Sequence, residues 1–192
     1  MTNPRKPRSA GVNAPAPAPV AALAPPGGRL APASFEVLYR ETFDDVFAYA
    51  ATLLRDRGAA EDVVAAAFER AYRRMATYDA RRGSRRQWLF GIVRHAALDE
   101  LRRRRRVASL VAEPAAQEPT VEDELADPLR RAAVRAALAR LDARDRELVA
   151  LKFFAGLDNA EIAGVLGISA SNAGTRLHRA VDRLREACRE QP

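Results

Sequence analysis

The sequence has few of the residues on which common catalytic and metal sites depend. Its 192 residues include one cysteine and two histidines, which excludes a disulfide framework and leaves a zinc site of the usual ligands incomplete. The ten glycines form neither G-x-G-x-x-G nor G-x-x-x-x-G-K-[ST], so the common nucleotide-phosphate loops are missing. No uncharged segment approaches the roughly 20 apolar residues of a membrane span. We expect no metal, no cofactor and no membrane insertion.

Lysine is scarce although the chain is basic. Of its 32 basic residues 30 are arginine, and the formal net charge is +7. The guanidinium group binds phosphate through two donors and stacks on bases, so this balance favours a nucleic-acid partner. A genome rich in G and C would also raise the ratio of arginine to lysine, but it would not decide where the arginines lie.

Proline is confined to a few segments. Eight of the twelve prolines lie in residues 1–32, and none lies in 33–113 or 129–191. Because proline removes a backbone donor and breaks helices, residues 1–32 are predicted to be a disordered tail rich in Ala and Pro. The proline-free segments are predicted to be folded domains.

The tail begins with a basic cluster and an uncharged stretch, as a secretory signal does. Three prolines, Pro15, Pro17 and Pro19, lie where the apolar helix of a signal would have to form, so we expect no export. The lone thiol of Cys188 is most simply an inert group in a reducing compartment. The expected location is the cytoplasm.

Charge divides the chain at the same places. Residues 33–106 and 130–192 are basic, and the segment between them, 107–129, carries six acidic residues and no basic one. We interpret this segment as a flexible linker between two basic domains. Its charge would suit a nucleic-acid mimic, a clamp on the basic domains or simply solubility. The acidic residues are Glu113, Glu118, Glu122, Asp123, Glu124 and Asp127.

The first domain is predicted to contain three helices and no strand. Ser34 is placed as the cap of the first helix, which would end near Gly58. The second would start at Glu61, and the third opens with the capping box Ser84-x-x-Gln87. Each carries apolar residues at helical spacing, and no segment of comparable length alternates with period two.

The second domain is predicted to end in a helix-turn-helix. Residues 130–141 and 144–154 have helical periodicity. A capping box then begins at Asp158, Gly167 ends a short helix, and Ser169 caps the last one. A short helix, a turn with glycine and a longer helix together define the motif. The fold class is therefore all-α, with two small helical domains and a C-terminal helix-turn-helix.

One face of the last helix has the side chains of a major-groove reader. Asparagine and arginine near a helix N-terminus pair with base edges, and arginines further along contact phosphates. A solvated arginine face on a helical hairpin is the alternative interpretation. The candidate residues are Ser171, Asn172, Thr175, Arg176, Arg179 and Arg183.

A second basic surface flanks the third helix. Tyr78 and Trp88 could stack on bases, although Trp88 at the start of an apolar stripe is more often a core residue. The arginine run at the end of this helix also suits the helix dipole. The arginines before and after the stripe are Arg81, Arg82, Arg85 and Arg86, and Arg102 to Arg106.

Two sets of motifs resemble the small extracytoplasmic-function (ECF) sigma factors of bacterial RNA polymerase, in the sigma-70 family. Ala60-Glu61-Asp62-Val63-Val64 and the segments Trp88 to His95 and Leu98 to Arg103 are similar to their second region. Residues 141–185, with Glu161-Ile162-Ala163 and Arg176-Leu177-His178-Arg179-Ala180, are similar to their fourth region. The order of the regions and the short acidic linker also match.

The resemblance implies a dissociable, non-catalytic polymerase subunit that directs promoter recognition, DNA melting and transcription initiation. Its second region would bind the clamp helices of the β′ subunit and melt the minus-ten element, and its fourth region would bind the minus-thirty-five element. The apolar residues Leu148, Leu151 and Phe153 would face either the β flap or the domain core. An anti-sigma factor is the further partner that the resemblance implies.

The resemblance also assigns site residues by position. The last helix would supply the minus-thirty-five contacts already given. The polymerase contacts would be Glu61, Asp62, Ala65, Ala66, Glu69 and Arg70. The minus-ten contacts would be Tyr78, Arg81, Arg82, Arg85, Arg86, Trp88, Arg94, His95, Asp99, Arg102 and Arg103.

Two other functions compete with this interpretation. An autonomous helix-turn-helix regulator would bind paired half-sites without polymerase, but it leaves the motifs of the first domain unexplained. A nuclease would need a rigid carboxylate cluster for a metal, and the densest acidic segment lies in the proline-containing linker.

Overall fold

A computed structural model describes residues 32–108 and 128–189 of the chain. These residues form seven α-helices and no strand, as the sequence predicts. The predicted tail and the six acidic residues of the predicted linker lie outside the described residues. The helices are α1 Pro32–Leu54, α2 Arg57–Arg74, α3 Arg85–Ala108, α4 Pro128–Arg140, α5 Ala143–Phe153, α6 Asn159–Leu166 and α7 Ala170–Arg189.

The first helix begins earlier and ends earlier than the sequence pattern predicts. Pro32 occupies its first position, where a missing N–H costs nothing, so Ser34 lies inside the first turn and its prediction as the cap is wrong. The helix ends at Leu54, before Gly58, because Arg55 adopts a left-handed backbone with φ of 54°.

The second helix starts four residues before the predicted Glu61. Asp56 is its cap, and the carboxylate accepts a hydrogen bond from the N–H of Ala59 at 3.1 Å. That hydrogen bond, with further help from Arg104, lowers the pKa of Asp56. Arg104 Nη2 lies 2.7 Å from the same carboxylate, which ties the end of α3 to the start of α2.

Two single turns of 3-10 helix connect α2 to α3, at Met75–Thr77 and Ala80–Arg82. Ser84 then caps α3, because its hydroxyl accepts from the N–H of Gln87 at 3.1 Å, which is one of the two hydrogen bonds of the predicted capping box. We call residues 32–108 the N-terminal bundle. Its buried residues include Val46, Tyr49, Phe68, Leu89, Phe90 and Val93.

In the C-terminal bundle, residues 128–189, the helices begin and end close to the predicted residues. Asp158 and Glu161 form a reciprocal capping box at the start of α6. Gly167 ends that helix with φ of 70°, a left-handed conformation that favours glycine. Ser169 accepts from the N–H of Asn172 at 3.2 Å and caps α7. The helix-turn-helix prediction is confirmed as a structural element.

The two bundles pack against each other. Helix α1 contacts α5, and α3 contacts α6. One apolar cluster includes buried residues of both bundles, such as Phe90 of α3 and Leu148 and Ile162 of the C-terminal bundle. A smaller cluster joins α4, α5 and α7 around Leu138 and Ala180. The sequence did not predict this shared core.

Some predicted stripe residues lie on the surface. Tyr39 and Tyr72 are 41% and 50% exposed, although their spacing places them with the core positions of α1 and α2. They still pack by their edges, Tyr39 on Phe68 and Tyr72 on Phe35. Among the helices of residues 32–108 and 128–189, none combines the length and the apolar character needed to cross a membrane.

Candidate nucleic-acid interface

Helix α7 separates an apolar face from a polar one. Ala173, Leu177 and Ala180 are buried against the rest of the bundle. Of the predicted reading residues, all are exposed except Arg176, which is half-buried. The exposed members are Ser171, Asn172, Thr175, Arg179 and Arg183.

Arg183 has a partner within the protein. Its guanidinium forms an ion pair with the carboxylate of Asp145 on α5, which is 9% exposed. This ion pair therefore holds α7 against α5. Arg183 also lies at the C-terminal end of the predicted DNA-reading face of α7. Asn172, Thr175 and Arg176 lie nearer the start of α7, where base edges are reached in a helix-turn-helix.

Gly174 lies where α6 and α7 approach. A Cβ atom built on it would be 3.2 Å from the side-chain nitrogen of Asn159, the first residue of α6. Glycine within a helix costs roughly 1 kcal/mol relative to alanine. The close approach of the two helices gives this glycine a packing role beneath the recognition surface.

A cleft of about 530 Å³ lies beside the start of α3. Four of the predicted minus-ten residues line it, and Gly164 and Val165 of α6 form part of its wall. The cleft therefore combines the candidate DNA surface of one bundle with a helix of the other. The four residues are Tyr78, Arg82, Trp88 and His95.

Tyr78 and Trp88 contact each other at this cleft. Their rings meet edge to face with centroids 5.7 Å apart, and the hydroxyl of Tyr78 donates to the carbonyl of Gly83 at 3.1 Å. Burial raises the pKa of Tyr78, while the nearby Arg85 opposes that rise. Trp88 is half-buried, so it is both a packed side chain and a wall of the cleft.

The predicted minus-ten arginines have different environments. Arg81 and Arg82 are exposed, and Arg81 is held by the side chain of Asp79. Arg86 and Arg94 instead reach the C-terminal bundle. Arg94 Nε lies 2.7 Å from Glu147 Oε1, and Arg86 donates to the carbonyl of Phe154 at 3.1 Å.

The distal half of α3 carries its own ion pairs. Arg102 lies 2.7 Å from Asp99. Both Arg103 and Arg104 contact Glu100, at 2.7 and 2.8 Å. The hydrogen bond from Arg103, followed by that from Arg104, lowers the pKa of Glu100 from 4.5 to about 2.

His95 lies between the cleft and this arginine-rich end. Its ring nitrogen Nδ1 is 2.6 Å from the carbonyl oxygen of Gly91, one turn earlier. An α-helix rises 1.5 Å per residue, so Arg103 lies about 12 Å further along α3. The predicted minus-ten residues therefore extend from the turns before α3 along the helix to Arg103, and we call the part from Arg85 to Arg103 the strip on α3.

The predicted polymerase contacts share one surface of α2. Glu61, Asp62, Ala65, Ala66, Glu69 and Arg70 are all exposed, whereas Val63, Val64, Ala67 and Phe68 between them are buried. Beside this surface lies a groove between α1 and α2, lined in part by Tyr39, Phe43 and Phe47. Exposed aromatic side chains in a groove are typical of a protein-binding site.

The apolar residues of α5 that the resemblance singled out are divided between core and surface. Leu148 and Leu151 are fully buried, so they belong to the core. Phe153 is 62% exposed at the end of α5. Of the three, Phe153 is the one available to a partner.

Several interface residues were missed by sequence reasoning. Tyr49, Asp45 and Glu147 contact the candidate DNA arginines or each other across the bundles, yet each lies in an ordinary amphipathic helix with no motif around it. In the part of the chain that the structure describes, no group of three or more His, Cys, Asp or Glu side chains is placed to hold a metal ion.

Comparison with known families matches both bundles. The family described as Sigma-70 region 2 matches residues 38–107, and Sigma-70, region 4 matches residues 131–184. The second range falls within the predicted domain 130–192, and the first extends one residue beyond the predicted 33–106. Together they contain the strip on α3 and the reading face of α7.

Similar proteins match along most of their length. The chain is 32% identical over 160 residues to the ECF RNA polymerase sigma factor SigL of Mycobacterium tuberculosis, covering 82% of this chain and 90% of that protein. It is also 32% identical over 157 residues to the RNA polymerase sigma factor CarQ of Myxococcus xanthus, covering 77% and 89%.

Among solved structures, the fold is similar to that of the sigma factor RpoE from Bartonella quintana, solved with the anti-sigma factor NepR. The TM-score is 0.74 at 22% identity, over 82% of this chain and 98% of that one. The sigma factor CnrH, solved with the cytosolic domain of CnrY, gives a TM-score of 0.61 at 22% identity, over 83% and 90%.

Proposed function

The chain belongs to the ECF sigma factors of the sigma-70 family, and from that premise we propose how its surfaces divide the work of promoter recognition between them. The exposed face of α2 binds the β′ clamp helices of core RNA polymerase. The strip on α3 binds the minus-ten element, and the exposed face of α7 binds the minus-thirty-five element. The observation that supports this most directly is that the two family regions cover the two bundles that carry these exposed faces.

The minus-ten surface combines two kinds of contact. Tyr78 and Trp88 present aromatic rings at the cleft, and base stacking on such rings is worth about 1–3 kcal/mol per base. Arg82 beside them is exposed and supplies a phosphate contact. Together they bind a single strand with bases turned toward the protein, which stabilises melted promoter DNA.

On the minus-thirty-five surface, the first two turns of α7 recognise bases and the later turns contact phosphates. Asn172 is placed to pair with an adenine and Arg176 with a guanine. Arg179, one turn further, contacts the DNA backbone. Arg183 contributes through its ion pair with Asp145, which fixes α7 on the bundle.

Exposed aromatic side chains extend the proposed polymerase contacts beyond the face of α2. Phe153 is proposed to contact the β flap, since it is exposed next to α6. The groove at Tyr39 and Phe43 extends the clamp-binding face of α2. An anti-sigma factor that covers these surfaces would prevent binding to core polymerase.

The protein acts by directing polymerase and performs no chemistry itself, in the compartment where polymerase works, the cytoplasm. Residues 33–106 and 130–192 are its two functional domains, and 107–129 connects them. The autonomous regulator leaves the exposed face of α2 without a role, because such a regulator needs no contact with polymerase.

Run-off transcription with core polymerase tests the proposal. A library of promoters is transcribed with core alone and with core plus this protein, and we expect new transcripts only in the second reaction. Ala65→Glu, on the clamp-binding face, should abolish them by placing a charge in the contact. Glu186→Gln, an exposed change on α7, is the control and should leave them unchanged.

Promoter-specific DNA binding by the protein without polymerase, with no transcripts at any promoter, would contradict the proposal. That result would favour the autonomous regulator. Equal transcript yield from Ala65→Glu would instead remove α2 from the polymerase contact.

A further inference from the structure

The groove between α1 and α2 exposes aromatic rings to solvent. It has a volume of about 720 Å³, and Tyr39 and Phe43 in its lining are 41% and 38% exposed. Their ring centroids lie 5.4 Å apart, and both rings lie against Phe68 of α2, at 4.7 and 6.1 Å. Large aromatic side chains that stay exposed in a groove are typical of a surface that another segment covers.

The aromatic lining follows one side of α1. Tyr39, Phe43 and Phe47 line the groove at a spacing of four residues, which places them on one face of the helix. At 1.5 Å per residue this stripe runs for about 12 Å, and it begins about 10 Å from Pro32, the first residue of α1. The stripe therefore starts close to the point where residues 1–31 join the described part of the chain.

The sequence of that preceding segment has the pattern of a ligand for aromatic grooves. Proline-rich segments favour polyproline II, with three residues per turn, and they bind grooves lined by aromatic side chains. With that period, two faces of residues 15–25 carry only alanine and proline. The third face holds the larger aliphatic side chains between two prolines, as Pro17, Val20, Leu23 and Pro26.

The length of chain between this apolar stripe and α1 suits a return into the groove. Gly27-Gly28 follows Pro26, and such a sequence is typical of a turn. The chain from Pro26 to Pro32 reaches at most about 20 Å, which exceeds the distance from Pro32 to the level of Tyr39. Residues 17–26 in polyproline II extend about 28 Å, enough to cover the aromatic side of α1 while running antiparallel to it.

Charge favours the same segment. Helix α1 carries four acidic residues and one basic residue, and Asp44 lines the groove itself. Residues 1–31 carry four basic residues and no acidic one. The segment and the helix are therefore complementary in charge as well as in apolar character.

We propose that residues 17–26 of this chain lie in the groove between α1 and α2, with their apolar stripe on the rings of Tyr39 and Phe43. The groove also includes Glu61 and Ala65 of α2, which belong to the face assigned to core polymerase. The docked segment occupies part of that face, so polymerase binds only after displacing it. The competition rests on the function proposed above, whereas the docking rests on the groove and on the sequence of the segment.

Fluorine NMR of the full chain, labelled with 4-fluorophenylalanine, tests the docking. A nitroxide is attached to Ala22→Cys, which lies off the apolar stripe, and Cys188→Ser removes the native thiol. The signals of Phe43 and Phe47 are assigned by replacing each with leucine. We expect the nitroxide to broaden both signals, because docking holds residue 22 beside the groove.

Two matched variants of the segment show whether the apolar stripe makes the contact. Val20→Asp with Leu23→Asp places two charges on the stripe and should abolish the broadening. Ala18→Asp with Ala21→Asp adds the same charge to the same segment on another face, so it should retain the broadening.

Affinity for core polymerase measures the competition. If about two thirds of the free molecules have the groove occupied, its release raises the apparent affinity about threefold. We therefore expect the chain with Val20→Asp and Leu23→Asp to bind core at least about threefold more tightly than wild type. The chain with Ala18→Asp and Ala21→Asp should bind core as wild type does.

Absence of broadening in the chain with the native stripe would overturn the docking and leave the groove to polymerase alone. Broadening in a mixture of fluorinated chains and separate nitroxide-labelled chains would assign the groove to a second copy, which also overturns it. Equal affinity of the two double variants for core would overturn the competition. The NMR measurement involves no polymerase, so failure of the proposed function would appear separately, as a chain that shows the broadening but gives no run-off product.

Discussion

In the proposed function, single side chains on α7 determine which promoter positions are recognised through base contacts and which are bound only through phosphates. Asn172 and Arg176 lie in its first two turns, and Arg179 follows on the same exposed side. A bidentate contact to a base contributes about 1–3 kcal/mol of discrimination, whereas a phosphate contact contributes to binding at every sequence. Substitutions at neighbouring residues of α7 should therefore have different effects, some on sequence preference and others on affinity at every sequence.

We expect Arg176→Ala to relax the preference at one or two minus-thirty-five positions. Arg179→Ala should lower affinity at all sequences alike and reduce its dependence on salt, because one phosphate contact is lost. Selection from a promoter pool randomised in the upstream element, with holoenzyme carrying each variant, separates the two effects. Recovery of the wild-type consensus by Arg176→Ala would place base reading elsewhere.

The ionisation of Glu100 makes the folding stability of the protein depend on pH. Its folded pKa of about 2 lies below the usual 4.5 because Arg103 and Arg104 bind the carboxylate. The unfolded chain therefore takes up the proton first as pH falls. The stabilisation is complete above pH 4.5 and is lost as pH falls toward 2.

Glu100→Gln should lower the free energy of unfolding at pH 7 by about 1–2 kcal/mol, given partial solvent screening. It should also flatten the decline of stability between pH 4.5 and 2. Urea unfolding at several pH values measures both. Glu36→Gln, which removes an exposed pair with Arg40, is the control, and an equal loss in both variants would show that burial of Glu100 contributes nothing.

At the scale of an element, the short helix α6 depends on its ends. It has eight residues, too few for a helix to be stable alone in water. The capping box at Asp158 and Glu161 satisfies its first backbone donors, and Gly167 allows the left-handed turn into α7. The angle at which α7 is presented to DNA therefore depends on two local motifs.

We expect Asp158→Ala to destabilise the protein by about 0.5–2 kcal/mol through the lost cap. Asp182→Ala removes an exposed carboxylate from the middle of α7 and should cost less than about 0.5 kcal/mol. Urea denaturation compares the two. Equal effects would mean that the cap hydrogen bonds are replaced by water without loss.

Local motifs of this kind were predictable from sequence, and the starts of α1 and α2 show where such prediction failed. Capping boxes and glycine turns involve residues within four positions of each other, so their chemistry is visible in the sequence. Ser34 and Glu61 were plausible starts, but Pro32 and Asp56 offered earlier ones. A helix begins at the first position that satisfies its donors, which can precede its apolar stripe.

At the scale of the whole molecule, the packing of the two bundles was not predictable. Arg94 and Glu147 are separated by 53 residues, and each alone is an ordinary charged residue of an amphipathic helix. The family resemblance supplied the roles of both regions and their order. It supplied no contact between them, because such contacts depend on matching pairs of side chains rather than on motifs.

The distance between the two promoter elements leads to a prediction about residues 109–127. Promoter elements centred at minus ten and minus thirty-five are about 25 base pairs apart, which is roughly 85 Å at 3.4 Å per base pair. A chain of 19 residues reaches at most about 65 Å when fully extended, so the bundles must supply the remaining distance. Deleting eight residues from this segment should lower run-off transcription at promoters of native spacing and shift the optimum to shorter spacers. Replacing the same eight residues with a Gly/Ser sequence is the control for length.

An unchanged spacer preference after the deletion would show that the bundles alone set the distance.

The position of Trp88 gives the protein an optical property. It is the only tryptophan in the chain, and it lines the same cleft as Gly164 and Val165 of α6. Indole emission shifts to longer wavelength when water replaces protein around the ring. Departure of α6 from α3 should therefore red-shift the intrinsic fluorescence. When the polymerase tryptophans are replaced by a non-emitting analogue, this shift would report assembly with polymerase in real time on the unlabelled protein.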